Sequence, residues 1–213
     1  MALKSSLATN AIPIGIIRAN RWPYLVINVI YYGLIVCGMI VAALYPPLQQ
    51  IMLARMHAET QSALLAPVVR AYMSGNIPLA ALLTFLVNSA ATFVQITLLS
   101  ALIPFSGLMV CTRAVEWGLA LSPTTPRIAA VMLPHSLTLL LEGQGYILAM
   151  FGCYLSGKWF LRPGKYGFAT RRDGYVAGLR VNLRMYPLIV AVLAVAAGYE
   201  ASEVVAVATL VRH

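Results

Sequence analysis

From Leu79 to Leu121 the chain runs for more than 40 residues with only two charged side chains, Arg113 and Glu116. No water-soluble fold of 213 residues can bury a stretch of that length and still cover it with polar surface. In hydrocarbon, every backbone N–H and C=O must be bonded within the protein, and a helix does this inside one segment. The stretch is too long for one crossing of ~30 Å of hydrocarbon, which takes about 20 residues. Ile103-Pro104-Phe105-Ser106-Gly107 is the natural break, giving spans near 79–102 and 105–121. The second is short, and a re-entrant hairpin is its alternative.

Further apolar runs are bounded in the same way. A first span is expected near 24–45, with Trp22 and Tyr24 marking one interface and Tyr45 the other. Before it, the Ile12–Ile17 patch fits a short amphipathic piece on the membrane surface. Pro46-Pro47 ends the first span. Residues 48–75 then alternate apolar and polar at 3-to-4 spacing, which predicts an amphipathic segment broken near Pro67 and stopped at Ser74-Gly75-Asn76. Ile128 to Trp159 is too long for one crossing, and Pro134 is expected to divide it, leaving a span near 134–157. A basic loop, 158–186, with glycines that keep it flexible, separates this from a last span near 187–211. The reading is one all-α polytopic membrane domain over 1–213, with about five transmembrane spans.

Composition agrees. Charged residues are 10% of the chain and mean hydropathy is +0.82, where a soluble domain carries about 25% charge. The formal net charge is +9. The cations sit in loops beside apolar segments rather than in a stripe interleaved with exposed aromatics, so no nucleic-acid partner is expected. An inside N-terminus places the basic loop in the cytoplasm, as the positive-inside rule requires, and gives a multi-pass membrane protein. Lys158, Arg162, Lys165, Arg171, Arg172, Arg180 and Arg184 oppose Asp173 alone in that loop. They suit anionic lipid headgroups or a docked partner.

Four of the six acids lie in apolar stretches: Glu116, Glu142, Glu200 and Glu203. A carboxylate in hydrocarbon costs roughly 2.5–3.5 kcal/mol on insertion scales, so it normally has a partner or a task. Arg113 and Glu116 are three apart and can pair on one helical face. His135 and Glu142 are two turns apart on one face, with Gln144 close by, and Glu200 and Glu203 are again three apart. Asn88 and Gln95, seven apart, share a face of the second span. In the five-span topology Arg113, Glu116, His135, Glu142, Glu200 and Glu203 share one layer, where they are expected to form a polar cluster centred on His135, Glu142 and Arg113. Interhelical bonding is one role for such a cluster and a proton or cation path is another.

Enzymatic chemistry finds no support in the motifs. H-E-x-x-H, G-x-S-x-G and a Walker sequence are all missing, and Asp173 is the only Asp, so no aspartyl dyad can form. Cys37, Cys111 and Cys153 lie singly in different apolar segments and read as packing. No metal or cofactor is expected.

Leu133-Pro134-His135-Ser136 with the following Glu142 resembles the stage II sporulation protein M family, whose members carry a Pro-His-Gly turn and then a glutamate. Phe85-Leu86-Val87-Asn88 is similar to that family's asparagine segment, and Glu116-Trp117-Gly118 occupies the place of its Asn-Gly motif. Ser136 stands where the family has glycine, and Glu142 falls three residues later than the family's glutamate. The resemblance covers roughly 79–160. It implies a non-enzymatic membrane scaffold or accessory subunit that positions other membrane-protein subunits. A homodimer is a further expectation, since Gly33, Gly38, Gly152 and Gly157 allow close approach. The alternative is a permease-like subunit or small-solute transporter using the same Arg/His/Glu groups.

Overall fold

The computed structural model describes residues 12–98 and 109–212, and all regular structure among them is helical. The helices are α1 (Pro13–Ala19), α2 (Arg21–Leu44), α3 (Pro46–Thr60), α4 (Ala66–Met73), α5 (Ile77–Ala91), α6 (Met109–Leu121), α7 (Pro126–Leu161) and α8 (Arg171–Arg212). A π-helical stretch, Thr92–Leu98, extends α5, and a 3-10 turn, Pro163–Tyr166, follows α7. The expected break at 103–107 lies outside the described residues.

Three helical segments are long and apolar enough to cross a membrane: Arg21–Leu44, Ile77–Leu98 and Arg171–Ala208. α7 has the length but mixes its apolar residues with His135, Glu142, Gly143, Gln144 and Gly145, and it carries much of the core. Ile147, Phe151 and Leu155 are fully buried, the pattern of a helix enclosed by neighbours rather than facing solvent or lipid.

Prolines act differently from the expectation. Pro134 lies inside α7 and Pro187 inside α8, and neither ends its helix. Each removes one donor and crowds the preceding turn. Neighbouring helices tolerate this when they supply other bonds, and the Oη of Tyr199 donates to the Pro134 carbonyl at 3.0 Å. As a consequence the basic segment is not one flexible loop. Its second half, from Arg171, is already the first turns of α8. The 48–75 segment is broken near Pro67 as expected, at residues 61–65, and Pro67 stands in the first turn of α4, where a proline has no intrahelical bond to lose. Gly75, at φ +71°, ends that segment.

The chain forms two compact units: Met1–Tyr31, Ala90–Cys111 and Gln144–Ala191 in the first; Tyr32–Ser89, Thr112–Gly143 and Val192–His213 in the second. Charge divides unevenly between them. The second unit holds all five glutamates, and the first holds Asp173 together with the basic segment.

In the first unit α7 and α8 meet through small residues spaced four apart, Gly152 and Ser156 on one and Gly174 and Gly178 on the other. A Cβ on Gly178 would lie 2.3 Å from the Ser156 Cα, and one on Gly174 would lie 2.4 Å from the Trp159 carbonyl oxygen. Small side chains at this spacing let backbones approach, which is how helices associate without a hydrophobic driving force. Gly174 and Gly178 therefore serve packing rather than flexibility. The second unit has a similar contact. Gly118 of α6 packs on α2, where an added Cβ would meet the Ile35 carbonyl oxygen at 2.1 Å, and Gly38 lies against Val115 and Gly118. Gly33, by contrast, faces open space.

Gly178→Ala is expected to destabilise the fold by ~1–3 kcal/mol through overpacking. Gly33→Ala should be neutral or stabilising by up to ~1 kcal/mol from helix propensity alone. Thermal unfolding of the two variants in detergent micelles reads the difference.

Candidate functional site

The second unit encloses a chain of polar side chains drawn from four helices. His135, Thr138 and Glu142 follow one another at three and four residues along one face of α7, while Glu200 and Glu203 are three apart on α8. Nδ1 of His135 lies 3.1 Å from Oε2 of Glu203, and Thr138 donates to that same oxygen at 3.1 Å. The pair is well enclosed, with the His135 side chain 14% and the Glu203 side chain 4% exposed. Asn88 of α5 donates its Nδ2 to Oε1 of Glu142, which is itself buried.

Glu200 lies between these two groups. Its carboxyl adjoins that of Glu142, with His135 and Glu203 close by. Oε2 of Glu200 is buried without a hydrogen-bond donor. Tyr72 of α4 faces the same carboxyl while its hydroxyl bonds Oγ1 of Thr84 at 2.8 Å. Tyr72 can reach this position because Ala71, Ala80 and Ala201, all buried, let α4, α5 and α8 pack tightly beside it.

Arg113 and Glu116 stand apart from this cluster, contrary to the single polar layer read from the sequence. The expected pair between them exists, at 3.2 Å, but Arg55 and Glu59 of α3 complete it. Arg55 reaches Glu116 at 3.0 Å and Glu59 at 3.2 Å, and Arg113 lies 3.7 Å from Glu59. The group is open, the Arg55 and Arg113 side chains being 56% and 46% exposed. The physical reason is spacing: Arg55 and Glu59 are one turn apart on α3 and present both charges to α6 together. His135 is left as the one basic side chain bonded to the buried acids among the described residues.

Gln144 and Gln95 also fall elsewhere. In the first unit Gln144 bonds Asn28 at 2.7 Å and accepts from the Tyr24 hydroxyl at 2.6 Å. Gln95 lies on the π-helical stretch and is exposed. Bonding to the fifth residue rather than the fourth changes the angular step, so a seven-residue spacing no longer returns to the same face.

The basic group of that unit is exposed at Arg162, Lys165, Arg171, Arg172, Arg180 and Arg184, and half-buried at Lys158. Asp173 accepts from N and Oγ1 of Thr170 at 3.0 and 2.7 Å, and its own N–H donates back to Thr170 Oγ1 at 3.1 Å. This reciprocal cap closes the start of α8, and the spacing Thr-x-x-Asp is a signature the sequence carried. The reading from sequence also missed Thr138, Tyr72, Tyr24 and Asn28. Thr138 was accessible through its place between His135 and Glu142, whereas Tyr72 had no local signal.

A second group missed from sequence joins α3 to the turn after α6. Buried Gln49 donates to the carbonyls of Ala120 and Ser122 at 3.1 and 2.7 Å and accepts from Thr124. Among the described residues no three His, Cys, Asp or Glu side chains converge so as to hold a metal ion. Compared with known proteins, the chain matches no family model, no curated protein and no solved structure.

Removing the donor to Glu142 is expected to cost more than removing an exposed amide. Asn88→Ala should lower unfolding stability by ~1–3 kcal/mol, the penalty of an unsatisfied buried group. Gln95→Ala should stay within ~0.5 kcal/mol of the parent. Equal losses in thermal unfolding would show that the Asn88–Glu142 bond contributes nothing special.

Proposed function

We propose that the chain is a non-enzymatic, multi-pass subunit of the bacterial cytoplasmic membrane, a scaffold or accessory protein that positions partner proteins in a membrane complex. In this reading α2, α5 with its π-helical extension, α6, α7 and α8 are the five spans. The positive-inside rule favours a cytoplasmic place for the basic segment 158–186. The N-terminus is then cytoplasmic. α6 has 13 residues, ~20 Å at 1.5 Å each, so it either crosses a thin part of the layer or belongs to a re-entrant hairpin.

The observation that carries the proposal is the internal bonding of the acids. Glu203 is held by His135 and Thr138, and Glu142 by Asn88, all within one chain. Acids bonded in this way fix which helices lie together and in what register, and each such bond is worth on the order of 0.6 kcal/mol. Large apolar side chains such as Val29, Leu44, Leu82 and Val195 remain exposed and are available to lipid or to other subunits. The resemblance to the stage II sporulation protein M family supports the same role. Two of the positions that carry it, Asn88 and Glu142, are bonded to each other, and a third, Gly118, sits at the closest backbone approach to α2.

A permease-like role is the second reading, and one feature favours it: the Glu142–Glu200 contact with a buried Glu200 oxygen that has no donor. Proton carriers use such paired acids. Glu142→Gln separates the two. For a scaffold, the variant keeps the set of chains that co-purify in mild detergent, because the amide still hydrogen-bonds. Intact assembly together with at least tenfold loss of proton flux in proteoliposomes would overturn the scaffold reading in favour of transport.

A further inference from the structure

Three cations at the end of α7 form no ion pair with an acid among the described residues. Lys158, in the last turn of α7, lies between two aromatic rings, its Nζ 5.7 Å from the Tyr154 centroid and 4.9 Å from that of Tyr166. Its hydrogen-bond acceptor is Oδ1 of Asn20, 3.3 Å away. Burial, and then the charge of Lys165, hold the Lys158 ammonium below the usual lysine range. Arg162 immediately precedes the 3-10 turn that carries Lys165 and Tyr166. Gly167, in the left-handed region at φ +81°, ends that turn and bonds back to the Gly164 carbonyl, which holds Lys165 close to the end of α7.

Asp173 is the one acid of this unit, and its carboxylate closes the start of α8 on Thr170. It forms no ion pair among the described residues. The terminal carbonyls of α7 and the faces of two rings offset part of the positive charge, but they remove none of it. A half-dehydrated ammonium beside a second cation is therefore arranged for an anion.

We propose that Lys158, Arg162 and Lys165 bind the phosphate of an anionic phospholipid headgroup. The choice of a lipid over a free anion rests on what adjoins the cations. Leu161, between Lys158 and Arg162, is 54% exposed and offers an apolar surface for an acyl chain, while Tyr154 and Tyr166 supply rings that suit the headgroup level. The site is independent of the scaffold reading, because it uses none of the acids of the second unit.

The test uses the full chain stripped of lipid in a neutral detergent and supplied with phosphatidylglycerol, phosphatidylcholine or inorganic phosphate. Phosphatidylglycerol is expected to raise the unfolding midpoint and to persist as a bound adduct in native mass spectrometry, while the other two do neither. Arg162→Gln with Lys165→Gln removes two exposed cations, so folding is retained, and circular dichroism checks this. Each cation near a surface contributes on the order of a fivefold change, so the double variant should weaken phosphatidylglycerol binding by at least ~10-fold. Unchanged binding in that variant would overturn the site. Stabilisation by inorganic phosphate alone would also overturn it, by showing a site for a free anion.

Discussion

A buried carboxyl group has to find a donor, a counter-charge or a shared proton inside the protein, and the second unit is organised around meeting that demand. Glu203 obtains a histidine and a hydroxyl, Glu142 an amide, and Glu200 the neighbouring carboxyl. Each partner comes from a different turn or a different helix. The bonds therefore set rotation and register for α5, α7 and α8 together, which apolar contacts alone leave loosely specified. Removing one partner leaves a polar atom stranded, and that penalty exceeds the net worth of the bond itself.

The first unit solves a different problem. It buries no acid among the described residues, and its helices are held close by small residues. Gly152 and Ser156 against Gly174 and Gly178 bring the α7 and α8 backbones together, and Asn182 fills the space left at Gly152. Charge is kept at the surface, and the single acid closes a helix end. The two units thus differ in how they specify packing, one by bonded acids and the other by close backbone approach.

The open Arg55–Glu59–Arg113–Glu116 group shows the limits of sequence spacing as a guide to depth. Residues three apart on a helix pair whether they sit in a core or at an edge, and the i to i+3 relation is local. Surface pairs of this kind contribute between zero and about 1 kcal/mol each. The group is therefore a weaker determinant of the fold than the two hydrogen bonds on Glu203, although it contains more formal charge.

Helical class was determined by the sequence itself, because apolar runs of this length admit no other way to bond the backbone away from water. The first span was legible nearly to the residue, Tyr24–Tyr45 against an observed Arg21–Leu44, since Pro46 marks its end. The shared face of His135 and Glu142 followed from their seven-residue spacing. The tertiary structure decided which acids met. It placed Arg113 and Glu116 with α3, Gln144 with Tyr24 and Asn28, and Tyr72 beside Glu200. It also carried α7 and α8 straight through Pro134 and Pro187. These outcomes depend on partners distant in the chain, and a local pattern records which face a side chain occupies but not what the fold brings opposite it.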